Sequence, residues 1–441
     1  MGKVIEIRDP IHGFISLNEW ERDIINHWVF QRLRRIRQLG LTDMVYPAAV
    51  HSRFEHSLGV MHVATRIFDH IREKRSDFLK DELGFNNDGL GRVRALVRLA
   101  SLFHDLGHAP FSHAAEDLMD IIGPSTERKQ HYKHEHYSAA IVSSLMKDVI
   151  DDHPFNQKNY CIKAEEISDF LNGNVTLGGL LLWRSLVSSQ LDADRADYLL
   201  RDSHHIGVTY GHYDLNRLIA TLTVAIDPEL SSPIIAVEEG GEHAAEGLII
   251  ARYMMFTQVY FQHTRRAYDR HLIEAIRHIL SNCRHQNDMN NPYTFPPPTS
   301  KENLKEYLKW DDWRVLGLIN DDEAGYHGRI LIERKHHRAV FETPEIPSQK
   351  DQELAERICE VLINDGGFVD CASNSWYKFK PAEIYLVLRP GERDERLTTL
   401  STRSSVVSGL KAVERTRIYV PMDKKEEARK IVAKERREKN L

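Results

Sequence analysis

The segment LASLFHDLGHAPFSHAAED (99–117) places His104, His108 and His113 close to Asp105, Glu116 and Asp117. Leu99, Leu102 and Phe103 supply an apolar helix face, and His104 and Asp105 follow at its C-terminal end. Gly107 and Pro110 break the helix and turn the chain back, so that His108 and His113 return toward the same region. Imidazole and carboxylate together suit Zn, Mn, Fe, Co or Ni, and Mg less well. A bare His-Asp pair is weak evidence. Set inside HDxGH and FSH, it points to metal or acid–base chemistry rather than to a helix end with polar caps.

A divalent ion needs more than two ligands, and two other segments can supply them. HSRFEHSLGV (51–60) offers His56, with Arg53 three residues before it. SSQLDADRADYLLRD (188–202) offers Asp192, Asp194 and Asp197, although alone that run reads first as a solvated charged helix face. HEH (134–136) forms a second polar set with Glu116 and Asp117. A His held by a carboxylate can act as general acid or be tuned as base. An ordinary helix N-terminus, with Glu135 favouring the dipole, is the equal alternative.

A third set is basic. QRLRRIRQLG (31–40) holds Arg32, Arg34, Arg35 and Arg37, while Arg53, Arg195, Arg201, Arg265, Arg266 and Arg270 lie near the other motifs. Guanidinium forks clamp phosphate oxygens, and Tyr198, Tyr260 and Tyr268 could stack on a base or sugar. The alternative for 31–40 is an amphipathic helix with a wet basic face, since Leu33, Ile36 and Leu39 form an apolar side. Of the 24 histidines, fourteen fall between His51 and His212. That clustering argues against scattered surface residues, because His is the commonest metal ligand and general acid or base.

The elements that must position these groups are mostly helical. Residues 1–20 read as extended around Asp9-Pro10 and His12-Gly13. From Trp20 to Leu39 the apolar residues recur every three to four positions. Further helices are expected at 54–75, 92–106, 134–149, 164–171, 179–190, 193–203, 214–222 and 245–282, with a hairpin over 223–238. NPYTFPPPTS (291–300) reads as a Pro-rich connector. Beyond it the pattern predicts helices at 301–308 and 350–363, strands near 383–388 and 416–420, and a charged helix over 424–439. The fold class is therefore mainly α, a helical core with a smaller α/β C-terminal part, divided as 1–290, 291–300 and 301–441.

Composition bounds the rest. The 441 residues are 41% hydrophobic and 28% charged, with net charge −6. That is a globular balance, and it excludes a generic polyanion binder. No apolar run reaches the roughly 18 residues of a membrane helix, and the N-terminus has no signal-peptide core. Met1-Gly2 is followed by Glu6 where a myristoylation signal wants Ser or Thr. Cys161, Cys283, Cys359 and Cys371 form no CxxC, which fits free thiols in a reducing cytoplasm.

In their order along the chain, DPIHG (9–13), QRLRRIRQLG, HSRFEHSLGV, HDLGHAPFSH (104–113), HEH, DADRADYLLRDSHHIG (192–207) and TRRAY (264–268) resemble the HD-superfamily deoxynucleoside triphosphate triphosphohydrolases. The resemblance covers about 4–285, and RIYVPMDKKEEARK (417–430) is similar to the family's C-terminal strand and helix. It implies one divalent metal on His56, His104, Asp105 and Asp194. It places His108, His113 and His134 around the α-phosphate, oriented by Glu116 and Glu135. It assigns Arg53, Arg195 and Tyr198 to the triphosphate, Gln38 and Leu39 to the sugar, Asp202 to its 3′-hydroxyl, and Tyr268 to closing the sugar pocket against a 2′-hydroxyl.

Three positions depart from the family. Asn26 stands where the animal enzymes, which carry a sterile-alpha-motif domain, read an activating guanine with Asp. The stretch 221–241 lacks the arginines that hold an activator nucleotide. Thr264 replaces a family His, with His263 adjacent. The resemblance thus implies a cytoplasmic homo-oligomer, dimer or tetramer, that hydrolyses dNTPs to deoxynucleoside and triphosphate. It leaves room for a nucleotide activator but not for strict GTP activation, and expects neither a membrane nor nucleic acid as main partner. The rival readings are an HD phosphodiesterase or nuclease acting on cyclic dinucleotides or single strands, and a nucleic-acid-binding regulator with a vestigial site.

Overall fold

The computed structural model describes residues 4–122, 130–174, 180–283, 293–364, 366–378, 383–391 and 394–439. Its centre is a long helix, Arg53–Lys74, packed on Asn87–Phe103 and Ala193–Ile206. Local sequence fixes where each begins. Glu55 reaches back to accept from the Ser52 N–H at 3.1 Å, and Asn86 Oδ1 accepts from Gly89 N at 2.7 Å. Asp192 caps Ala193–Ile206 by accepting from Arg195 N at 2.8 Å. His56, the 104–105 pair and Asp194 therefore sit at adjoining ends of three packed helices.

The expected helix over Trp20–Leu39 is broken. It runs as Glu19–Asn26 and Trp28–Gln31, then tightens to a 3-10 turn at Arg32–Arg35, because His27 leaves helical backbone (φ −64°, ψ 139°). The expected helix at 134–149 is divided into His134–Ser144 and Lys147–Asp151. That at 179–190 shrinks to Leu181–Arg184, residue 179 lying outside the described residues. The expected 245–282 helix is three pieces, Glu242–Met255, a π-turn at Phe256–Tyr260, and His263–Cys283. Such π-turns are frequent at functional sites.

Among the described residues, three sheets accompany the helices. Ile5–Asp9 and Gly13–Leu17 form an antiparallel hairpin. The hairpin Leu222–Ile226/Pro233–Glu238 extends into Tyr385–Leu388 and Arg396–Thr399. In the third sheet Val413–Val420 lies between Arg338–Glu342 and Phe368–Asn374, antiparallel to both. Helices Gln349–Ile363 and Lys425–Lys439 cover it with Ile358, Leu362, Ala428 and Val432.

The chain after 292 is woven into the helical core. Phe295, inside the stretch read as a connector, is fully buried, and its N–H donates to Leu118 O at 2.8 Å. The boundary at 290/291 lies outside the described residues. Within the basic run 31–40, Arg32 and Arg35 dock this later segment, while Arg34 is exposed. Arg32, 1% exposed, donates to Trp310 O and His108 O, and Arg35 pairs with Asp311. No helix among the described residues is long and apolar enough to cross a membrane.

Candidate active site

Among the described residues, two clusters of His and carboxylate have donor atoms close enough to share an ion. The first is His56, His104 and Asp194. His56 Nε2 lies 3.0 Å from Asp194 Oδ1, and His104 Nε2 lies 3.8 Å from it. Asp105 joins them, 3.5 Å from His56 Nε2 and 3.2 Å from His104 Nε2. His104 Nδ1 donates to Ser101 O at 2.7 Å, so Nε2 carries the lone pair, yet that buried nitrogen has no hydrogen-bond partner among the described residues. A buried acceptor left unused among two imidazoles and two carboxylates fits a divalent cation of the Zn, Mn or Fe class. The field is negative enough to want one. Burial would lower the His56 pKa, but Asp194 and Asp197 outweigh it and push it up to about 10.

The remaining nitrogen of His56 is fixed from behind. His56 Nδ1 is 2.7 Å from Asp197, whose carboxylate also takes His12 Nε2 at 2.6 Å and Arg201 Nε at 2.8 Å. Arg201 in turn reaches Asp9 at 2.9 Å, and Asp9 accepts from the N–H groups of Ile11 and His12. The N-terminal hairpin thus braces a candidate metal ligand from behind, the kind of contact that sets tautomer and ring orientation. Gly59 makes room, because a Cβ there would overlap the Asp197 carboxylate. Arg201, grouped by sequence with phosphate clamps, is buried in this brace, and Asp192 is spent on the helix cap and on Arg195.

The second cluster is His108, His113, Glu116 and His134. A Cβ at Gly107 would strike the backbone of His134 and Ser138, so the glycine lets the 104–113 loop close on that helix. His108 then stacks on His134 with ring centroids 3.8 Å apart. Glu116 Oε1 is 2.6 Å from His134 Nδ1 and 3.1 Å from His113 Nδ1. Burial opposes ionisation of His134, but Glu116 raises its pKa. Burial and Arg53 hold His108 neutral, well below the usual range. Burial would raise Glu116, and the flanking histidines reverse that and keep it a carboxylate. Two stacked imidazoles therefore differ in protonation, which suits one to deliver a proton. Glu135 is half-exposed, 3.5 Å from His134 Nδ1.

Phe111 and Ser112 have φ of 58° and 61°, a strained conformation for residues other than glycine. Asp312 holds it, accepting from Phe111 N at 2.7 Å and Arg37 N at 2.8 Å. Burial raises the Asp312 pKa to about 7.

Two cavities adjoin. One, of about 490 Å³, is lined by His104, Asp105 and Asp194 of the first cluster and by His108, His134, Glu135 and Arg195, while His56 is fully buried and lines neither cavity. The other, of about 550 Å³, is lined by Leu39, Asp202, Tyr260 and the Arg265–Arg270 face of the following helix. Gln38, Arg53, His113 and Tyr198 line both. Arg53 pairs with Asp105 and donates to Ser112 Oγ at 2.8 Å. Asp202 takes His51 Nε2 at 2.8 Å and the Tyr260 hydroxyl at 2.6 Å, the contact that the π-turn makes possible.

Of the residues that the resemblance assigns to metal, phosphate or sugar, all but Tyr268 fall in the two clusters or on the cavity walls. That ring is 1% exposed, lies 4.4 Å from His336, and lines neither cavity; Tyr260 stands there instead. Thr264, His263 and the exposed Asn26 line neither. Sequence reasoning missed the roles of His12, Asp197 and Asp312. DPIHG and the Asp run held the first two in view, but nothing local marks Asp312.

The profile of the HD domain matches residues 53–202, and that of the HD-associated region matches 213–292. The chain is 30% identical over 461 residues to the uncharacterized protein YwfO of Bacillus subtilis, covering 96% of this chain and 94% of that one. It is 32% identical over 247 residues to the human deoxynucleoside triphosphate triphosphohydrolase SAMHD1, covering 51% of this chain and 37% of SAMHD1. A crystal structure of a hypothetical protein from Aquifex aeolicus aligns with a TM-score of 0.75 at 28% identity, covering 97% of this chain and 99% of that one.

Proposed function

The chain belongs to the HD-domain family, and on that footing we propose that it hydrolyses deoxynucleoside triphosphates to the deoxynucleoside and inorganic triphosphate. The observation that carries this reading is the pair of cavities with one shared wall. The cavity bearing the donor cluster and Arg195 suits a phosphate chain, and the 550 Å³ cavity beside it suits a nucleoside. The similarity to SAMHD1 over half of the chain supports the same substrate class.

His56, His104, Asp105 and Asp194 would hold a divalent ion, which when bound would supply Lewis acidity and lower the pKa of a water. The chain's own groups do the rest. Arg53 and Arg195 offset phosphate charge. Glu116 keeps His134 Nδ1–H engaged, so that the proton on Nε2 goes to the departing 5′-oxygen. His108, held neutral, fixes the ring of His134 by stacking. Gln38, whose Oε1 is buried without a partner among the described residues, and Asp202 are the acceptors for sugar hydroxyls, and Tyr198 and Tyr260 wall that side.

The test is incubation with each dNTP and NTP in Mn²⁺ or Mg²⁺, followed by chromatography. Nucleoside and triphosphate are expected from dNTPs. Monophosphate would make the enzyme a different phosphohydrolase, and no turnover would make it a regulator.

A further inference from the structure

At the nucleoside cavity, away from the metal ligands, stands a buried acid with an unspent oxygen. Asp269 lies on the helix His263–Cys283, is 4% exposed, and lines the cavity. Its Oδ1 has no hydrogen-bond partner among the described residues, and its Oδ2 lies 3.5 Å from Arg265 Nη2, an ion-pair distance rather than a hydrogen bond. The neighbouring charges are otherwise engaged. Arg266 binds Asp370 through Nε at 3.0 Å and through Nη2, and Arg265 Nη1 donates to Tyr260 O. An ionised carboxylate only accepts, with room for about four hydrogen bonds. Leaving one buried oxygen empty is costly, so its partner is expected to arrive with a ligand.

We propose that Asp269 reads the base and makes guanine the preferred one. This rests on the nucleotide reading above and deepens it. With the triphosphate beside the metal ligands, the base enters the cavity that Asp269 lines. Guanine alone among the four bases presents two adjacent N–H donors, N1–H and the 2-amino group, matched to the two oxygens of a carboxylate. Adenine and cytosine set one amino group beside a ring nitrogen whose lone pair faces the second oxygen. Thymine offers one N–H between two carbonyls, both repelled by a carboxylate. Sites built to bond a particular N–H reject analogues lacking it far more strongly than apolar pockets reject a methylene, because the site's own polar group is left unpaired.

The experiment is calorimetric titration of the whole chain, in a chelator so that no hydrolysis occurs, with dGMP, dIMP, dAMP, dCMP and dTMP. Deoxyinosine monophosphate differs from dGMP only by the missing 2-amino group, so the decisive comparison needs no substitution. The unaltered protein is expected to bind dGMP at least about tenfold tighter than dIMP or dTMP, the range of one hydrogen bond to a charged group. In a folded Asp269→Asn protein the dGMP:dIMP gap should close. Equal affinity for dGMP and dIMP, a gap that survives Asp269→Asn, or no binding of any nucleotide would each overturn the proposal. Guanine selectivity without dNTP turnover in metal would sink the hydrolase reading and leave this one standing; turnover without selectivity would do the reverse.

Discussion

Asp197→Asn keeps the side-chain volume and removes the charge of the carboxylate beneath the candidate metal ligands. Asp197 is fully buried and accepts from His12, His56 and Arg201 at 2.6 to 2.9 Å. An amide can accept at only one atom and must point its NH₂ at one of those donors. Arg201, itself fully buried, keeps only Asp9 as a full counter-charge. Removing one partner of a buried ion pair costs about 3–5 kcal/mol. Against a total stability of roughly 5–15 kcal/mol the variant should fold, with a clearly lower urea midpoint. Freed from its brace, His56 should lose tautomer and orientation, and metal affinity should fall by roughly 10–100-fold. Chelator competition on the folded variant measures that. A variant with unaltered midpoint and unaltered metal affinity would refute the idea that the N-terminal hairpin braces the site. Lowered stability with intact affinity would refute only its orienting half.

Three other outcomes follow from the same geometry. His134→Ala should lower kcat by roughly 10²–10⁴ while bound metal, measured by elemental analysis, is retained; parallel loss of metal would place His134 among the ligands. Tyr268→Ala, emptying a core position against His336, should cost about 3–5 kcal/mol and leave the dNTP:NTP preference alone, whereas Tyr260→Ala should shift that ratio; the opposite pattern would return the sugar gate to Tyr268. His271 is fully buried, and burial with His337 and His327 lowers its pKa to about 2. The unfolded chain takes up that proton below about pH 6.5 and the folded one does not, so its stabilising effect is full above 6.5 and falls by about 1.4 kcal/mol per pH unit as pH drops. Urea unfolding at pH 7 and pH 5 should therefore show a shallower pH dependence in His271→Gln; equal slopes would contradict this.

How much of this was legible in the sequence depends on whether the signal was local. Helix 301–308 was expected where it occurs, because Ser300 caps it and Leu304, Tyr307 and Leu308 repeat at helical spacing. The ligand-bearing ends were legible for the same reason, since Gly107 and Pro110 announce the turn after His104-Asp105. What depends on tertiary contact was not. The π-turn at Phe256–Tyr260 has no periodic signature, so the pattern predicts a single helix there. Tyr268, which the family resemblance sets against the sugar, packs in the core beside His336, while Tyr260 lines the cavity. Arg32 and Arg201 carry the residue type of a phosphate clamp, and only burial against Trp310 O and Asp197 shows otherwise. Asp312 lies some two hundred residues after the loop it holds.

Hydrolysis of a dNTP in ¹⁸O-labelled water with Mn²⁺, read by mass spectrometry, tests the central assignment most directly. Attack at the α-phosphorus by a water oriented at His56, His104, Asp105 and Asp194 should leave the label in inorganic triphosphate and an unlabelled deoxynucleoside, and His104→Ala with Asp105→Ala should abolish both products. Label in the deoxynucleoside, release of pyrophosphate or orthophosphate, or full turnover in the doubly substituted protein would contradict it.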